Sequence, residues 1–553
     1  MFKLLEGFTP YREEDVALYL KRGWWPNLTL GDLLDRAADI HPEKEGFVDT
    51  NGRLTYGETR EKVNKLAIGM IELGIQPLER VLVQIPNWNE FVLAYFACQK
   101  IGAIPVLLID RYRQYEINHL AEISGATVWF VPTRYKKNDF IPIIDDVRRN
   151  QPLLRNVITV RGEISESGFS SLDRLIEGIH PTPRELELLE HQRPDPMQVA
   201  HMGPTGGTTG APKIVPRTHN SLVCSVGFCS ASWEQHCEDV NLIVNPVAHD
   251  LSFSKAFLGS IITQGRLVML DSTENADICE TIQRERVTAI VWVPALAQRL
   301  LQFEALNHYD LSSLRKMHSG GGASHPEMIR DVMERLKMRF HNGYGGTEGM
   351  TCITRCTDDL KTICGTVGRP TFPYDIYKAV DGQGKELPPD TSGELLVKGP
   401  CVFTGYYNNP EENARVFDKE GFFRTGDLAR ISEKGYITLT GRVKEMINRG
   451  GESISATEIE KLINRHPDVA VVAVVPMPDA VLGERVCAYI ELLKGASLTF
   501  EEVIAFLKDQ KAAVLQLPER IEFVNSIPVT GANKIDKQAL CHDIKQKLVA
   551  ETA

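Results

Sequence analysis

Short apolar runs alternate with longer stretches of helical periodicity in the first half of the chain. RVLVQIP precedes WNEFVLAYFACQKIG, AIPVLLI precedes QYEINHLAEISG, and the runs LIVNPVAHD, RLVMLD and AIVWVPA continue the pattern. Strands that alternate with helices are typical of α/β folds with largely parallel sheets. The pattern therefore predicts an α/β architecture.

The alternation of strand-like and helix-like stretches ends at about residue 365. Up to residue 441 the chain shows short β-like pieces such as GELLVKGP and GYITLTGR, separated by Gly, Asp and Pro. The strand-like VAVVAVV and the helical FEEVIAFLKDQ follow. The last stretch of roughly 110 residues is long enough for a small α+β domain.

Composition narrows the class of protein. A chain of 553 residues exceeds one ordinary core, and 43% apolar with 24% charged residues is typical of soluble globular proteins. A net charge of -11 argues against a nucleic-acid partner. The 11 cysteines include no CxxC pair, so we expect reduced thiols. With no signal-peptide core and no apolar run of membrane length, the sequence predicts a cytoplasmic protein without membrane insertion.

A glycine- and threonine-rich stretch, GPTGGTTGAPK, occupies residues 203–213. The apolar MQVAHM before it predicts the end of a strand, and THNSLVCSVGFC after it predicts the start of a capped helix. Its backbone N–H groups and hydroxyls are donors suited to phosphate, although a flexible surface loop is the alternative. Pro212 precedes Lys213 and Ile214 follows it, which excludes a Walker P-loop. A phosphate bound here would belong to another nucleotide-binding scheme.

Five further motifs follow in order: SGGGAS (319–324), NGYGGTEG (342–349), RTGDL (424–428), GRVKEMINRGGESI (441–454) and VTGANKIDK (529–537). Each alone is explained by a turn, a cap or a solvated lysine. Together they resemble the adenylate-forming ligase superfamily, from the N-terminus to the end. GFTPY, PRTHN, PVAHD, INRGGE and LGERVCAYI look closer to the aryl-acid AMP ligases, such as 2,3-dihydroxybenzoate–AMP ligases.

The resemblance implies a fold and a reaction. Residues 1–443 would form a large domain of α/β subdomains with a small β-barrel-like part. Residues 444–553 would form a mobile α+β domain that turns about a hinge at Lys444. ATP and Mg²⁺ would activate an aryl acid, amino-substituted in one interpretation, as an acyl-adenylate. A phosphopantetheinyl carrier protein would then take the acyl group, in siderophore or other secondary-metabolite biosynthesis.

The resemblance also implies roles along the nucleotide. The 203–213 stretch becomes a lid over the β- and γ-phosphates, Tyr344 stacks on adenine beside Asn342, and Thr347 contacts the α-phosphate. Glu348 would hold Mg²⁺, and Asp427, in a tight turn, would accept the ribose hydroxyls. The implied ATP-binding set is Thr205, Gly206, Gly207, Thr208, Thr209, Lys213, Gly321, Asn342, Gly343, Tyr344, Gly345, Thr347, Asp427 and Arg442.

Two positions near the implied catalytic lysine depart from the family pattern. Lys534 resembles the lysine that bridges the carboxylate and the α-phosphate, but Asn533 stands where glycine is common. Glu445 follows the hinge where aspartate is frequent. Gly450 and Gly451 would let a pantetheine arm pass close to the backbone.

The residues that the resemblance assigns to the acid pocket depart from the family pattern. His249 resembles a residue that guards the carboxylate entrance, but Asp250 stands where aryl-acid ligases generally carry asparagine. Because a buried unpaired carboxylate is costly, Asp250 needs a partner. A helix cap near SFSKAFLG, Lys255, and an amino group of the substrate are the three alternatives. Gly322 and Gly343, at implied pocket-floor positions, predict a roomy site.

Three other functions stay open on the sequence. Free coenzyme A could replace the carrier protein, which would make the protein an acyl-CoA ligase. A stand-alone amino-acid adenylation enzyme is the next alternative. A nucleotide-binding regulator without catalysis has only Asn533 and Asp250 in its favour, against the intact Lys534, Glu348 and Asp427.

Overall fold

A computed structural model describes residues 4–164, 166–205, 212–449, 452–479, 482–510, 512, 516–530 and 534–552. The chain divides into two compact units, Met1–Ile376 with Lys398–Gly421 and Tyr377–Val397 with Phe422–Ala553. The predicted domain boundary between residues 443 and 444 stays a prediction. A hinge at Lys444 stays a prediction.

The larger sheet of the first unit has nine strands within the described residues, in the order β18-β17-β16-β15-β14-β12-β13-β1-β2. Its six central strands are parallel, and β2, β17 and β18 pair antiparallel at the edges. The strands are β1 (Glu45–Val48), β2 (Arg53–Thr55), β12 (Val240–Ile243), β13 (Arg266–Met269), β14 (Ala289–Trp292), β15 (Lys316–Ser319), β16 (Arg339–Gly345), β17 (Thr351–Ile353) and β18 (Arg369–Pro370).

A second sheet of the same unit has seven described strands in the order β11-β10-β4-β3-β5-β8-β9. All its pairs are parallel except the antiparallel pair β10–β11. The strands are β3 (Arg80–Val83), β4 (Ile104–Leu107), β5 (Val128–Pro132), β8 (Asn156–Val160), β9 (Phe169–Ser171), β10 (Val199–Thr205) and β11 (Lys213–Thr218), with a separate hairpin of β6 (Arg134–Tyr135) and β7 (Asn138–Asp139).

Helices cover these sheets, and several begin at side-chain caps. Thr29 and Thr55 each form a reciprocal capping box with the acidic residue three positions on. The helices are α1 (Glu13–Lys21), α2 (Leu30–Ile40), α3 (Tyr56–Glu72), α4 (Asn89–Ile101), α5 (Gln114–Ser124), α6 (Ile141–Asn150), α7 (Leu172–Glu177), α8 (Pro183–His191), α9 (His219–Ser232), α10 (Asp250–Ser252), a π-helical turn (Phe253–Phe257), α11 (Leu258–Thr263), α12 (Asn275–Glu285), α13 (Pro294–Leu301), a 3₁₀ turn (Glu304–His308), α14 (Pro326–Arg335), α15 (Leu360–Gly365) and α16 (Pro410–Val416).

One continuous apolar core joins the two sheets of the first unit. α4 is buried on nearly all sides, as expected of a helix whose sequence is apolar all round. Phe91 and Tyr95 of α4 pack edge-to-face with Phe257 of the π-helical turn, and Phe96 packs against the same ring in a tilted arrangement. The packing holds the segment from α10 to α11 rigidly against the core.

The second unit contains two further sheets in its described part, ordered β19-β20-β21-β22 and β24-β23-β26-β25 with β27 beside β26. Apolar residues on both faces of the long β25–β26 pair build two small cores. The elements are β19 (Ile376–Val380), β20 (Gly393–Lys398), β21 (Phe423–Ile431), β22 (Ile437–Arg442), a 3₁₀ turn (Val443–Glu445), β23 (Met446–Arg449), β24 (Glu452–Ser455), α17 (Ala456–Ile463), β25 (Val469–Asp479), β26 (Gly483–Leu492), α18 (Phe500–Asp509), β27 (Arg520–Val524) and α19 (Lys537–Thr552).

The structure confirms the predicted fold class. Parallel sheets alternate with helices in the first half, and the C-terminal region mixes strands with α17, α18 and α19. All eleven cysteines lie among the described residues and are free thiols. No helix in the described parts of the chain combines the length and apolar character that a bilayer crossing requires.

Candidate functional site

The glycine-rich stretch begins and ends in the hairpin of β10 and β11. Thr205, the last residue of β10, pairs with Lys213, the first residue of β11. α9 follows directly, capped by the Thr218 hydroxyl, which accepts from the backbone N–H of Ser221. The predicted strand and capped helix are confirmed. Gly206, Gly207, Thr208 and Thr209 lie outside the described residues.

Arg217 of β11 joins two distant segments to its own part of the chain. Its Nη1 donates to the Thr347 carbonyl (3.1 Å), its Nη2 to the Cys401 carbonyl (2.7 Å) and its Nε to Ser221 Oγ (3.1 Å). Arg217 is buried, with only 3% of its surface exposed. Sequence reasoning missed Arg217, although it lies in the PRTHN stretch that carried the family likeness.

Two glycines allow these segments to approach so closely. A Cβ on Gly203 of β10 would lie 2.6 Å from Thr347 Cγ2. Gly349 has a φ of +103°, and a Cβ there would lie 2.1 Å from the Cys401 carbonyl oxygen. Neither position has room for a larger residue without a shift of the backbone around the 342–349 motif.

Glu348 lies at the centre of a hydrogen-bonded charge network. The Tyr406 hydroxyl donates to Glu348 Oε1 (2.9 Å), and the backbone N–H of Phe403 donates to the Glu348 carbonyl (2.7 Å). Burial, and next the charge of Glu348, raise the pKa of Tyr406 well above its ordinary value. The Tyr406 hydroxyl therefore stays protonated, and its hydrogen bond orients the Glu348 carboxylate. Sequence reasoning missed it, since nothing local marks Tyr406 as a partner of a residue 58 positions away.

Lys213 extends the same network. Its ammonium forms an ion pair with Glu412 and lies 4.7 Å from the centroid of the Tyr406 ring. Arg415 and then Lys213 lower the pKa of Glu412 to about 2, against the opposing effect of burial. Lys213 is thus paired with a carboxylate of the protein itself.

The implied adenine residues follow the carboxyl ends of parallel strands. Gly321, with a φ of +78°, follows β15, and the 342–349 motif begins within β16. Asn342 Nδ2 donates to the carbonyls of Thr366 (2.9 Å) and Ile363 (3.4 Å). Tyr344 pairs with Cys352 of β17, and Gly345 with Thr351. Ligands of open α/β sheets bind at this edge.

His249 and Asp250 begin the helical segment that follows β12. His249, not Asp250, caps the helix, because its Nδ1 accepts from the backbone N–H of Leu251 (3.3 Å). The helix then widens into a π turn, in which the N–H of Leu258 bonds to the carbonyl of Phe253 five residues back. The capping role considered for Asp250 is therefore wrong.

Lys255 does not pair with Asp250 either. Lys255 is 6% exposed, and its Nζ donates to Thr351 Oγ1 (3.0 Å). Among the described residues, the half-buried Asp250 carboxylate has no hydrogen-bond partner and no cation within 4 Å. Both internal partners predicted for Asp250 are thereby corrected, and the substrate remains as the third.

His318 of β15 is close enough to Lys255 for the lysine charge to act on its imidazole. Burial, and next the charge of Lys255, hold the pKa of His318 well below its ordinary value, so the imidazole is neutral. Its buried Nδ1 has no hydrogen-bond partner within the described structure. Sequence reasoning missed His318 and Thr351 because their roles depend on the fold alone.

The predicted roomy floor is wrong at Gly343. A Cβ there would lie 2.7 Å from His318 Nε2 and 3.2 Å from the Ser319 carbonyl, so the imidazole already fills this space. At Gly322 a Cβ would meet only Pro294 Cδ at 3.6 Å, which is ordinary van der Waals contact. Gly343 thus accommodates His318, whereas Gly322 leaves room for a methyl group.

Asp427 and Arg442 belong to the second unit and form an ion pair there. Asp427 of β21 lies opposite Arg442 of β22 in the strand register, with 2.8 Å between Arg442 Nε and Asp427 Oδ1. The predicted tight turn at Asp427 is corrected to a strand. Gly426 directly before it has a φ of +72°, which locally distorts that strand.

The remaining predicted residues also lie in the second unit. Lys444 belongs to the 3₁₀ turn Val443–Glu445. Lys534 is exposed, and its backbone N–H and carbonyl bond to Thr530 Oγ1 (3.4 Å) and the Thr530 N–H (2.7 Å). Gly450, Gly451 and Asn533 lie outside the described residues.

The donor set around Glu348 fits a divalent cation that brings its own phosphate ligands. The described residues contain no group of three or more His, Cys, Asp or Glu suited to a metal ion. Mg²⁺ commonly takes one or two carboxylates and completes its shell with phosphate oxygens and water. A single buried carboxylate held by Tyr406 is compatible with that mode of binding.

Comparison with known proteins gives matches over nearly the whole chain. The models of the AMP-binding enzyme and of the AMP-binding enzyme C-terminal domain match residues 34–407 and 458–534. The 2,3-dihydroxybenzoate-AMP ligase of Bacillus subtilis (strain 168) is 37% identical over 99% of both chains. The salicyl-AMP ligase / salicyl-S-ArCP synthetase of Mycobacterium tuberculosis is 32% identical over 98% of this chain and 95% of its own.

A solved structure agrees with the fold. The apo structure of Mycobacterium smegmatis MbtA superposes with a TM-score of 0.74 at 32% identity, covering 98% of this chain and 100% of that chain. The predicted two-part architecture is confirmed by this likeness.

Gly343→Ala tests whether His318 fills the pocket floor. The added methyl would lie 2.7 Å from His318 Nε2, so we expect a loss of about 1–3 kcal/mol in the free energy of unfolding, typical of overpacking. Urea denaturation measures the loss. Gly322→Ala is the matched control and should change stability by less than about 0.5 kcal/mol. Equal stability of the two variants would contradict the packing described here.

Proposed function

The chain belongs to the family of AMP-binding enzymes and is an adenylate-forming ligase, and from that premise we propose that it activates an amino-substituted aromatic carboxylic acid for transfer to a carrier-protein thiol. The observation that carries the substrate assignment is the Asp250 carboxylate, which has neither a hydrogen-bond partner nor a neighbouring cation among the described residues.

The reaction has two balanced steps. A carboxylate oxygen of the acid attacks the α-phosphorus of ATP, and the bond from that phosphorus to pyrophosphate breaks. The phosphopantetheine thiol then loses its proton and attacks the acyl carbon, and AMP leaves with the electron pair of the broken bond. Both steps require that anions be brought together and that charge at phosphorus or oxygen be stabilised.

Charge stabilisation is assigned to residues near the 342–349 motif. Bound Mg²⁺ would neutralise phosphate oxygens, and Glu348 would hold it, oriented by the Tyr406 hydroxyl at 2.9 Å. Thr347 would contact the α-phosphate, with its backbone fixed by Arg217. Thr205 and Lys213 would support the lid over the β- and γ-phosphates.

The nucleoside is assigned to residues of both units, each considered within its own unit. Tyr344 would stack on adenine, with Asn342 near its amino edge. Asp427 would accept the ribose hydroxyls, since an ionised carboxylate has two acceptor oxygens and its Oδ1 is held by Arg442 Nε. Lys534 would bridge the acid carboxylate and the α-phosphate during adenylation.

Asp250 favours an amine on the substrate. A half-buried carboxylate without a partner gains from a ligand donor, and a hydrogen bond to a charged group contributes about 1.5–3 kcal/mol. An aryl amino group donates such a bond, and asparagine, common at this place in the resembled ligases, would not offer a charged acceptor. We therefore assign Asp250 to the ring amino group.

Lys255 favours a second, accepting substituent on the same ring. Its buried ammonium has three donors, yet Thr351 Oγ1 is its one hydrogen-bond acceptor among the described residues, and no carboxylate lies within 4 Å. Leaving a buried charge uncompensated is costly. A ring hydroxyl or heteroaryl nitrogen would supply the missing acceptor, with the unpartnered His318 Nδ1 beside it.

Asp250→Asn tests the assigned amine. With the wild-type enzyme, we expect 2-aminobenzoate to support exchange of labelled pyrophosphate into ATP better than 2-hydroxybenzoate or plain amino acids. In the variant, kcat/KM for 2-aminobenzoate should fall about 10- to 100-fold, the value of a charged hydrogen bond, with 2-hydroxybenzoate spared. Asp331→Asn on the exposed face of α14 is the charge-matched control. Exchange with hydroxybenzoates alone would refute the amine, and exchange with no acid would refute the function.

Lys255→Met tests the second substituent and keeps a stem of similar length. The wild-type enzyme should prefer 3-hydroxy-2-aminobenzoate to 2-aminobenzoate by about tenfold or more in kcat/KM, as expected for an acceptor that meets a buried ammonium. The variant should lose this preference while it still activates 2-aminobenzoate. Lys361→Met on the exposed surface of α15 serves as the control. A preference that survives in Lys255→Met would contradict the assignment.

The acceptor is tested by competition between thiols. A phosphopantetheinylated aryl carrier protein should be acylated with a kcat/KM at least about tenfold higher than free coenzyme A, a difference of about 1.4 kcal/mol in barrier. Formation of the thioester from the activated acid is measured by mass spectrometry. A reversed preference would make the protein an acyl-CoA ligase and leave the adenylation step unchanged.

A further inference from the structure

Glu445, one of the positions that departs from the family pattern, forms an ion pair across the second unit. Its Oε2 lies 2.8 Å from Lys537 Nζ, and the same ammonium lies 2.9 Å from Glu460 Oε1. The three residues come from separate elements: the 3₁₀ turn after β22, the first turn of α19, and α17. We name this group the Lys537 triad.

The Lys537 triad is largely shielded from water. The exposed fractions of the Lys537, Glu445 and Glu460 side chains are 22%, 24% and 17%. Burial alone would lower the pKa of Lys537, but Glu460 and then Glu445 hold it above its ordinary value. The ammonium is therefore charged at neutral pH, and shielded ion pairs resist screening by salt better than exposed ones.

Glu460 anchors the triad to the core of the unit. Its Oε1 also accepts from the backbone N–H of Val474 (2.7 Å) in the middle of β25. The carboxylate is thus fixed by a strand on one side and by Lys537 on the other. Among the described residues Glu445 bonds only to Lys537, and this contact ties the 3₁₀ turn to α19.

Lys537 lies three residues after Lys534 on a short folded segment. The N–H of Thr530 donates to the Lys534 carbonyl (2.7 Å), the N–H of Asp536 donates to the Pro528 carbonyl (2.8 Å), and Val529 bridges to Ile535. These bonds pair residues 528–530 with residues 534–536, and the triad holds the exit from residue 536 into α19. Movement of Lys537 would therefore move the turn that carries Lys534.

We propose that Lys537 is a positioning residue, held by Glu445 and Glu460, that fixes the Lys534 turn to the segment directly after Lys444. The inference rests on the proposed function, in which Lys534 acts during adenylation. Glutamate at position 445 serves this contact because its side chain is one methylene longer than the aspartate frequent there. An aspartate on the same backbone would not reach Lys537 at hydrogen-bond distance.

Glu445→Asp shortens the side chain and keeps its charge, whereas Glu445→Gln keeps its length and removes the charge. We expect both variants to lower the single-turnover rate of acyl-adenylate formation by about tenfold, since a displacement of about 1 Å can cost up to 100-fold in rate. Transfer from chemically prepared acyl-adenylate to a holo carrier protein or coenzyme A should stay within about twofold of wild type, because Lys534 takes no part in it. Lys537→Met should show the same split more strongly.

Two controls distinguish positioning from stability and from failure of the function. Glu501→Gln, on the exposed face of α18, removes a charge elsewhere in the unit and should leave both half-reactions unchanged. Lys534→Ala fixes the rate expected when the lysine is absent. If Lys534→Ala retains the wild-type adenylation rate, the proposed role of Lys534 fails, irrespective of the triad.

The inference is overturned by either of two results. The first is that Glu445→Asp adenylates as fast as wild type, which would mean that the longer side chain has no role. The second is that the Glu445 and Lys537 variants lose both half-reactions by one common factor, in line with their loss of urea stability. A selective loss of adenylation alone supports positioning.

Discussion

The guanidinium of Arg217 is the constraint on which the first unit's candidate site depends. It holds the Thr347 and Cys401 carbonyls at once, so two segments that lie 130 and 184 residues further along the chain share one buried cation. A guanidinium donates several planar bonds and stays charged, which a lysine could not match in this position. Gly203 and Gly349 are the steric counterpart of the same contact, because each admits a neighbour that a side chain would exclude.

Charge is distributed unevenly between the two parts of this site. Around Glu348 the charges are compensated internally, since Lys213 pairs with Glu412 and Tyr406 donates to Glu348. Around Asp250 and Lys255 they are not, since neither group has an opposite charge within 4 Å among the described residues. In the proposed function, the part assigned to the phosphates is therefore compensated without a ligand, whereas the part assigned to the acid is completed by the acid itself.

The sequence predicted what depends on local pattern or on short motifs. The alternation of strands and helices and the capped start of α9 at Thr218 follow from spacing and turn chemistry. Arg217, Tyr406 and His318 could not be predicted, because their partners are distant in the chain and nothing in their neighbours marks them. Asp250 illustrates the same limit: whether His249 or Asp250 caps a helix is decided by backbone geometry that residue type does not specify.

The π-helical turn at Phe253–Phe257 gives the pocket a property that side chains alone do not provide. One residue more than an α-helical turn separates its hydrogen-bonded ends, so the winding of the backbone sets the angle between Asp250 and Lys255. Removal of a single residue there would restore α winding and rotate everything on one side by about 100° relative to the other. Under the proposed assignment of Asp250 and Lys255 to the substrate, the identity of the accepted acid would be encoded partly in chain length, and a one-codon deletion would change it.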